Sequence, residues 1–170
     1  GSAWEAQDAG PVPGTTSFNA VASNDTTIVV VGTNGTILTS LDTVTWEAQP
    51  LPENNDLNDA TWDGSQFMVV GSNDTVLTSP DGLAWTQHIP GTSNINLAAV
   101  TQYDSGLPQN PAIGAVGSSG TLVLDPDADP GTIVLTGTTR MLSGMTRVDD
   151  GAGNAYFVIV GNDGTVLTAR

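Results

Sequence analysis

The chain has 170 residues, no cysteine and one histidine, and 18 acidic residues against 3 arginines give a net charge of −15. This balance excludes DNA, RNA and anionic membranes as main partners, because polyanions are bound through basic patches. The lack of cysteine excludes a disulfide framework, a thiolate metal site and a cysteine nucleophile. A hydrophobic content of 38% with abundant Gly, Thr, Ser and Asn indicates a turn-rich β protein.

The N-terminal segment supplies the first predicted element. Residues 1–2, Gly-Ser, resemble a cloning scar, and residues 3–170 are predicted to form a single domain. The segment Trp4-Glu-Ala-Gln7 repeats Trp46-Glu-Ala-Gln49 letter for letter. We therefore expect residues 3–10 to form an outer strand of the last unit in a repeated structure.

One apolar pattern with a marker glycine is present four times. Its first copy is Ile28-Val-Val-Val-Gly-Thr-Asn-Gly-Thr-Ile-Leu-Thr-Ser40, preceded by the apolar–small–small–apolar segment Phe18-Asn-Ala-Val21. The marker glycines are Gly32, Gly71, Gly117 and Gly161, at intervals of 39, 46 and 44 residues. Self-similarity at this period indicates a repeat architecture.

Each repeat is predicted to contain four short strands: an inner strand, an apolar strand that ends in the marker glycine, a Thr-rich strand and an outer strand. Asn-Gly and Asp-Gly between apolar runs predict tight hairpins, and units of about 40 residues with four strands are typical of propeller blades. The predicted fold is all-β: a small β-propeller of four four-stranded blades, closed by the N-terminal strand completing the last blade. The predicted blades span 17–50, 56–90, 96–137 and 141–170.

Ring closure has two alternatives at this point. The N-terminal strand completes the last blade of its own chain in a monomer, or that of a partner in a blade-swapped homodimer with eight blades.

Two turns carry a family resemblance. Ser40-Leu-Asp-Thr-Val-Thr-Trp46 and Ser79-Pro-Asp-Gly-Leu-Ala-Trp85 resemble shortened Asp boxes of sialidase-type (BNR) β-propellers and of the related photosystem II assembly-factor repeats. The resemblance implies a propeller in which the box is a structural turn remote from the active site. Its Ser and Asp would satisfy backbone donors, and its Trp would pack between blades. Both boxes are one residue short, and the third unit replaces them with the acidic segment 125–131.

The residues argue against catalysis. A sialidase requires three clustered arginines, but Arg140 is predicted on a connection before the last blade and Arg147 and Arg170 on connections at the opposite face. We therefore predict no catalytic residue and no enzyme activity. A glycoside hydrolase is kept as a remote alternative, because two carboxylates suffice for that chemistry.

An acidic segment raises the question of a metal. Asp125, Asp127 and Asp129 alternate before Gly131, as at the start of a calcium loop, and hard Ca²⁺ prefers oxygen ligands. Thr136 occupies the twelfth position, where the full calcium-loop pattern requires Glu. The alternatives are a Ca²⁺ site and a solvated acidic hairpin; no other cofactor is predicted.

Propellers bind ligands near the axis, on the face that carries the connections between blades and the middle hairpin turns. Six polar residues are predicted to surround this opening: Thr16, Asn54, Asn55, Asn94, Thr139 and Arg140. Arg140 is the only cation among them and suits a carboxylate-bearing sugar or a peptide terminus. Trp62 is interpreted as a core residue, with stacking on a ligand as the alternative.

These patterns predict a non-catalytic binding module that recognises a glycan or a peptide at the axial face. A lysine-free, acidic, cysteine-free composition favours a bacterial extracellular or cell-surface protein. The alternative is a structural scaffold that contacts neighbouring protein domains.

Overall fold

The computed structural model describes residues 4–169, except positions 9, 11, 13, 52, 105–110, 129–130 and 150–154. The described residues form fifteen strands in four antiparallel sheets, which we call blades 1 to 4. Blade 1 contains β1 (Phe18–Ser23), β2 (Ile28–Gly32), β3 (Ile37–Ser40) and β4 (Glu47–Gln49). Blade 2 contains β5 (Leu57–Trp62), β6 (Phe67–Gly71), β7 (Val76–Ser79) and β8 (Thr86–His88). Blade 3 contains β9 (Leu97–Asp104), β10 (Pro111–Gly117), β11 (Thr121–Leu124) and β12 (Thr132–Leu135). Blade 4 contains β13 (Leu142–Asp149), β14 (Ala155–Gly161) and β15 (Thr165–Ala169).

The predicted all-β class and the repeated antiparallel sheet are confirmed. Within each blade the strands pair in chain order, because short turns connect each strand to the next. One short 3-10 turn (Ser118–Gly120) is the helical element among the described residues, none of which form a helix long and apolar enough to cross a membrane.

The middle hairpins have the predicted primed turns. In blade 1 the N–H of Thr36 donates to the carbonyl of Thr33 (3.2 Å), and the two central residues, Asn34 and Gly35, have φ of 57° and 64°. Positive φ at both central positions defines a type I′ turn, whose twist matches that of the paired strands. Asn and Gly occupy these positions because they tolerate the left-handed region at the least steric cost.

The marker glycines are required by a close approach between two backbone segments of the same blade. A Cβ added at Gly32 would lie 2.3 Å from the carbonyl oxygen of Ser17, and one added at Gly161 would lie 2.2 Å from that of Met141. The same contact recurs at Gly71 and Gly117. Only glycine allows the end of the second strand to pass the backbone just before the inner strand.

Each blade has a rear face toward the preceding blade and a front face toward the next one. In β6, Val69 contributes to the core shared with blade 1, and Val70 to the core shared with blade 3. This alternation follows from the two-residue period of a strand and explains why β6 is buried throughout. A strand covered on both faces reads as a continuous apolar run, as this sequence does.

Three apolar junctions hold the blades together. Phe67, fully buried, lies in the junction between blades 1 and 2, Met68 in that between blades 2 and 3, and Leu142 in that between blades 3 and 4. The inner strands also follow one another, since β1 packs on β5, β5 on β9 and β9 on β13. No comparable packing joins β13 to β1 within the described part of the chain.

The predicted closing strand is not found. Residues 4–8 form no strand, and no described pairing joins them to β15. Trp4 is fully exposed, whereas the equivalent Trp46 is half-buried in blade 1. The described residues therefore form a row of four blades whose last blade has three strands.

Candidate functional site: the loop rim

The connections between blades and the middle hairpin turns lie at one end of the molecule and are joined by backbone hydrogen bonds. In blade 1 the N–H of Thr33 donates to the carbonyl of Ser17, and that of Gly35 to the carbonyl of Asn55, both at 2.9 Å. The turn of blade 1 thus holds both the connection that enters its blade and the one that leaves it.

The same pattern continues along the molecule. Ser72 donates to Asp56 (2.8 Å), Ser118 to Asn96 (2.9 Å), Gly120 to Arg140 (2.8 Å), and Asn162 to Met141 (2.9 Å), in each case from backbone N–H to carbonyl. We call this continuous surface the loop rim; it comprises residues 15–17, 33–36, 53–56, 72–75, 92–96, 118–120, 138–140 and 162–165. Its loops are fixed by a rigid scaffold, as binding loops commonly are.

Three of the six predicted site residues are occupied in bonds that hold the rim together. The Asn55 amide donates to Thr75 Oγ1 and Glu53 Oε2, both at 3.0 Å, and its oxygen accepts from the amide of Asn73 at 3.0 Å. The hydroxyl of Thr16 lies 3.4 Å from that of Thr36. These side chains fix the loops relative to one another.

Arg140 is the third occupied residue. Its guanidinium forms an ion pair with the carboxylate of Asp163 on the adjacent hairpin turn. Both side chains are exposed, so the pair is solvated and contributes little to stability. A ligand carboxylate at Arg140 would compete with Asp163 for the charge of the guanidinium, which weakens the expectation that Arg140 is free to bind an anionic ligand.

The other three residues offer free polar groups. The side chains of Asn54, Asn94 and Thr139 are exposed and make no hydrogen bond to any other described residue. They stand on three successive connections between blades. The structure therefore divides the predicted set into residues that build the rim and residues that face solvent from it.

Sequence reasoning missed the acidic side chains that order the rim. Asp56 accepts a hydrogen bond from the N–H of Asn34 (2.9 Å), and Asp74 accepts from the N–H groups of Asn94 (2.6 Å) and Ile95 (2.9 Å). Carboxylates satisfy such loop donors well, since hydrogen bonds to charged groups are the stronger ones. The signal was present in the sequence, because Asp56 and Asp74 flank apolar strands at turn positions.

The rim carries four carboxylates and one guanidinium. The acids are Glu53, Asp56, Asp74 and Asp163, and the single cation is Arg140. Together with the net charge of −15 this gives the rim a negative potential.

The two Ser-x-Asp turns lie between the third and fourth strands of blades 1 and 2. The Asp42 carboxylate accepts from the N–H groups of Thr45 (2.7 Å) and Val44 (2.9 Å), and these backbone hydrogen bonds hold its pKa below the usual value. Asp81 accepts from Leu83 (2.9 Å) and Ala84 (3.2 Å), which lowers its pKa in the same way. Both carboxylates have a structural role in their turns.

In the acidic segment of blade 3, one carboxylate makes a contact with another blade. Asp127 accepts a hydrogen bond from the amide of Gln66 in blade 2 (3.0 Å), and Asp125 is exposed with φ of 49°. Asp129 lies outside the described residues, and the described part of the chain contains no cluster of three acidic or histidine ligands. The calcium site therefore stays a prediction.

The position expected for Arg147 is wrong. It lies within β13, which runs to Asp149, and not on the connection that follows; Arg170 lies outside the described residues. The inner strand of blade 4 therefore extends further than the sequence predicted. His88 is half-buried on β8, where its Nε2 lies 2.8 Å from the hydroxyl of Thr78.

A cleft at the opposite end of the molecule was not predicted. It has a volume of about 540 Å³ and is lined by Ser23, Asn24, Asp25, Thr26, Trp62 and Gly64. Trp62 also packs against Phe67, with ring centroids 4.7 Å apart. Trp62 therefore belongs to the junction between blades 1 and 2 and also forms part of a polar cleft.

Comparison with known proteins identifies the fold. No protein-family model matches the chain, and no curated protein sequence matches it. Solved structures do: YCF48 bound to a D1 peptide is 17% identical with a TM-score of 0.69, over 94% of this chain and 53% of that one. YCF48 from Cyanidioschyzon merolae is also 17% identical, with a TM-score of 0.62, over 94% of this chain and 55% of that one.

A designed protein is similar over its full length. The computationally designed Ika4 protein is 14% identical with a TM-score of 0.70, over 99% of both chains. At these identities the likeness shows the fold alone, which is that of β-propeller repeats. The chain spans about half the length of the two YCF48 structures that it matches.

Proposed function

We propose that this chain is a non-catalytic binding module that recognises a segment of another protein through the loop rim. The observation that carries the proposal is the ordered set of free polar side chains at Asn54, Asn94 and Thr139. The similarity to YCF48, whose structure was solved with a bound D1 peptide, supports a peptide over a glycan as the ligand.

The chemistry of the three side chains suits an extended peptide. Asn presents two donors and an acceptor, and Thr presents one donor and two acceptor lone pairs, so each can bond a peptide N–H or C=O. Because the connections are held by the hairpin turns, their ordering costs little on binding. The side chains stand on consecutive blade connections, which would give a ligand three separate points of attachment.

The charge of the rim favours a basic ligand. The rim carries four carboxylates and a single cation, Arg140, which is itself paired with Asp163. A peptide with Lys or Arg would be attracted to this end, and its binding would weaken with salt as the charges are screened. An acidic peptide would meet repulsion.

The test is a peptide array that covers basic, neutral and acidic sequences, followed by titration of the best peptide against single variants. We expect Asn54→Ala and Asn94→Ala each to raise Kd by about 2- to 10-fold, the range for one lost hydrogen bond. Thr86→Ala is the matched control, since Thr86 is exposed on β8 outside the rim. Failure of every peptide to bind below millimolar concentration, or equal loss in Thr86→Ala, would contradict the proposal.

A glycan is the second candidate, because the Trp62 cleft supplies an aromatic wall and several polar groups. Such a mixture is typical of small-molecule sites. A glycan array with Trp62→Phe and Asn94→Ala separates the two ends: binding lost only in the Trp62 variant would move the site to the cleft.

Three further elements of this proposal rest on the sequence. The acidic, lysine-free composition is the basis for proposing that the module acts outside a bacterial cell. No cofactor is proposed, unless Ca²⁺ binds at Asp125, Asp127 and Asp129. A scaffold that contacts neighbouring domains is the alternative, and a stable complex without any free-peptide affinity would favour it.

A further inference from the structure

The rear face of blade 1 has the residues of an interior junction, but no blade packs against it within the described part of the chain. In blade 2, cross-strand pairing places Ala60, Val69 and Leu77 in one row, and this row packs on blade 1. The equivalent row in blade 1 is Val21, Val30 and Leu38. Leu38 is buried, but Val21 is 64% exposed.

The front face of blade 4, at the other end of the row, is exposed as well. In blade 2 the front-face residues Val70 and Val76 are fully buried against blade 3. The equivalent residues of blade 4, Val160 and Val166, are 44% and 63% exposed. Residue pairs that are buried in the core of blade 2 therefore lie on the surface in blade 4.

Blade 4 is also open at its outer edge. A groove of about 330 Å³ lies between blades 3 and 4, lined among others by Leu122, Val134 and Leu167. Around Leu77, the equivalent of Leu167, the corresponding void is only about 10 Å³, and Gln87 of the outer strand β8 forms part of its lining. The groove has the position of a fourth strand.

The segment that fits this groove lies in front of blade 1. Trp4-Glu-Ala-Gln7 repeats Trp46-Glu-Ala-Gln49, whose last three residues form β4. In blade 1 these residues pair Glu47 with Thr39, Ala48 with Leu38 and Gln49 with Ile37. The same register on β15 pairs Glu5 with Thr168, Ala6 with Leu167 and Gln7 with Val166.

We propose that two copies of this chain close one ring of eight blades. The front face of blade 4 in one copy packs on the rear face of blade 1 in the other, and residues 4–7 of that same partner become the outer strand of blade 4. A second copy is favoured over closure within one chain because, among the described residues, β13 and β1 lack the packing that joins the other successive inner strands, and no strand pairing joins residues 4–8 to β15.

The structural comparison is consistent with a second copy. The chain superposes on about half the length of a longer β-propeller chain, which is the share expected of half a ring. Two different complementary faces on one chain form a heterologous contact, which closes when the rotation between copies allows it.

The junction between two copies must differ from the junction between blades 1 and 2 at the turn between the third and fourth strands. Gly82 of blade 2 has φ of 81°, and a Cβ there would lie 2.9 Å from Cγ2 of Val29 in blade 1. Thr43 holds the equivalent position in blade 1, also with positive φ (68°), and its side chain needs more room beside Val158 of the other copy.

Disulfide formation between single variants tests the proposal, because the chain has no cysteine of its own. Gln7→Cys and Val166→Cys are made separately and mixed under mild oxidation, with one variant carrying a mass tag. Paired residues of antiparallel strands lie at Cα separations that a disulfide spans. We expect a mixed disulfide dimer in at least tenfold excess over the control mixture of Gln7→Cys with Ile89→Cys, an exposed position after β8.

The double variant separates the two modes of closure. Gln7→Cys/Val166→Cys is expected to form a dimer linked by two disulfides. An internally linked monomer would show that the chain closes on itself, and a mixed-variant yield equal to the control would show that the strand does not occupy the groove. Either result overturns the proposal, and neither depends on peptide binding at the loop rim.

Discussion

The junction between blades 1 and 2 and the front face of blade 4 are built from equivalent residues that end in opposite environments. Val31 and Ile37 of blade 1 are buried against blade 2, whereas Val160 and Val166 of blade 4 are largely exposed. A repeat places the same apolar face on every copy, whether or not another copy follows. When a terminal repeat leaves such an apolar face exposed, the face is expected to be covered by the same kind of surface that covers it inside the repeat array.

The largest expected effect does not distinguish the two regions. Gly71→Ala would place a Cβ 2.3 Å from the Asp56 carbonyl oxygen, and Gly161→Ala would place one 2.2 Å from that of Met141. Because the clash is with backbone in both blades, we expect each change to lower the free energy of unfolding by about 3 kcal/mol. Urea denaturation checks this; a large cost in blade 2 alone would show that the inner part of blade 4 is built differently.

Two equivalent valines are expected to differ in their contribution to stability. Val70→Ala removes buried methyl groups and should cost about 2 kcal/mol, whereas Val160→Ala at low protein concentration should cost less than about 0.5 kcal/mol. The same urea experiment measures both. At concentrations where two copies associate, the cost of Val160→Ala should rise, and equal costs at all concentrations would mean that a single chain already covers this face.

The smallest effect concerns acid. The pKa of Asp81 is lowered by hydrogen bonds from Leu83 and Ala84, so its carboxylate stabilises the fold above the unfolded pKa near 3.8, and this contribution is lost as pH falls through the lower folded value. Asp81→Asn should therefore lower Tm at pH 7, and the difference from the unchanged chain should vanish in strong acid. Thermal melts from pH 7 to pH 2 measure it, and a constant difference would contradict the assignment.

Asp59 supplies a control of opposite sign. Its pKa is raised chiefly by burial between blades 2 and 3, although Val100 and Ala60 donate to it. The raised folded value makes its stabilising contribution complete below the unfolded pKa and lost as pH rises through the folded pKa. As the pH falls, protonation of Asp59 should therefore raise the free energy of unfolding first. Protonation of Asp42 and Asp81 should lower it only at more acidic pH.

Much of the fold could be predicted because its signals are local or periodic. The marker glycines and the Asn34-Gly35 turn depend on backbone geometry that only a few residue types allow. The apolar runs repeat at blade spacing, so the sheets follow from them. Arg147 was misplaced because nothing local shows how far a strand continues beyond its neighbours.

The candidate site was predictable in position but not in the role of each residue. The repeat places Asn54, Asn55 and Arg140 on equivalent connections, but which of them is free depends on partners far along the chain. Asn55 is held by Thr75, and Arg140 by Asp163, twenty or more residues away. Such pairings arise only when neighbouring blades are packed.

The mass of the unmodified chain in solution tests the central claim most directly. Sedimentation equilibrium over a range of concentrations should give twice the chain mass of 17.3 kDa, and association should strengthen with salt because each copy carries a net charge of −15. Val166→Glu should return the mass to that of one chain, whereas Ile89→Glu should not. A mass of 17.3 kDa at every concentration and salt would contradict the account.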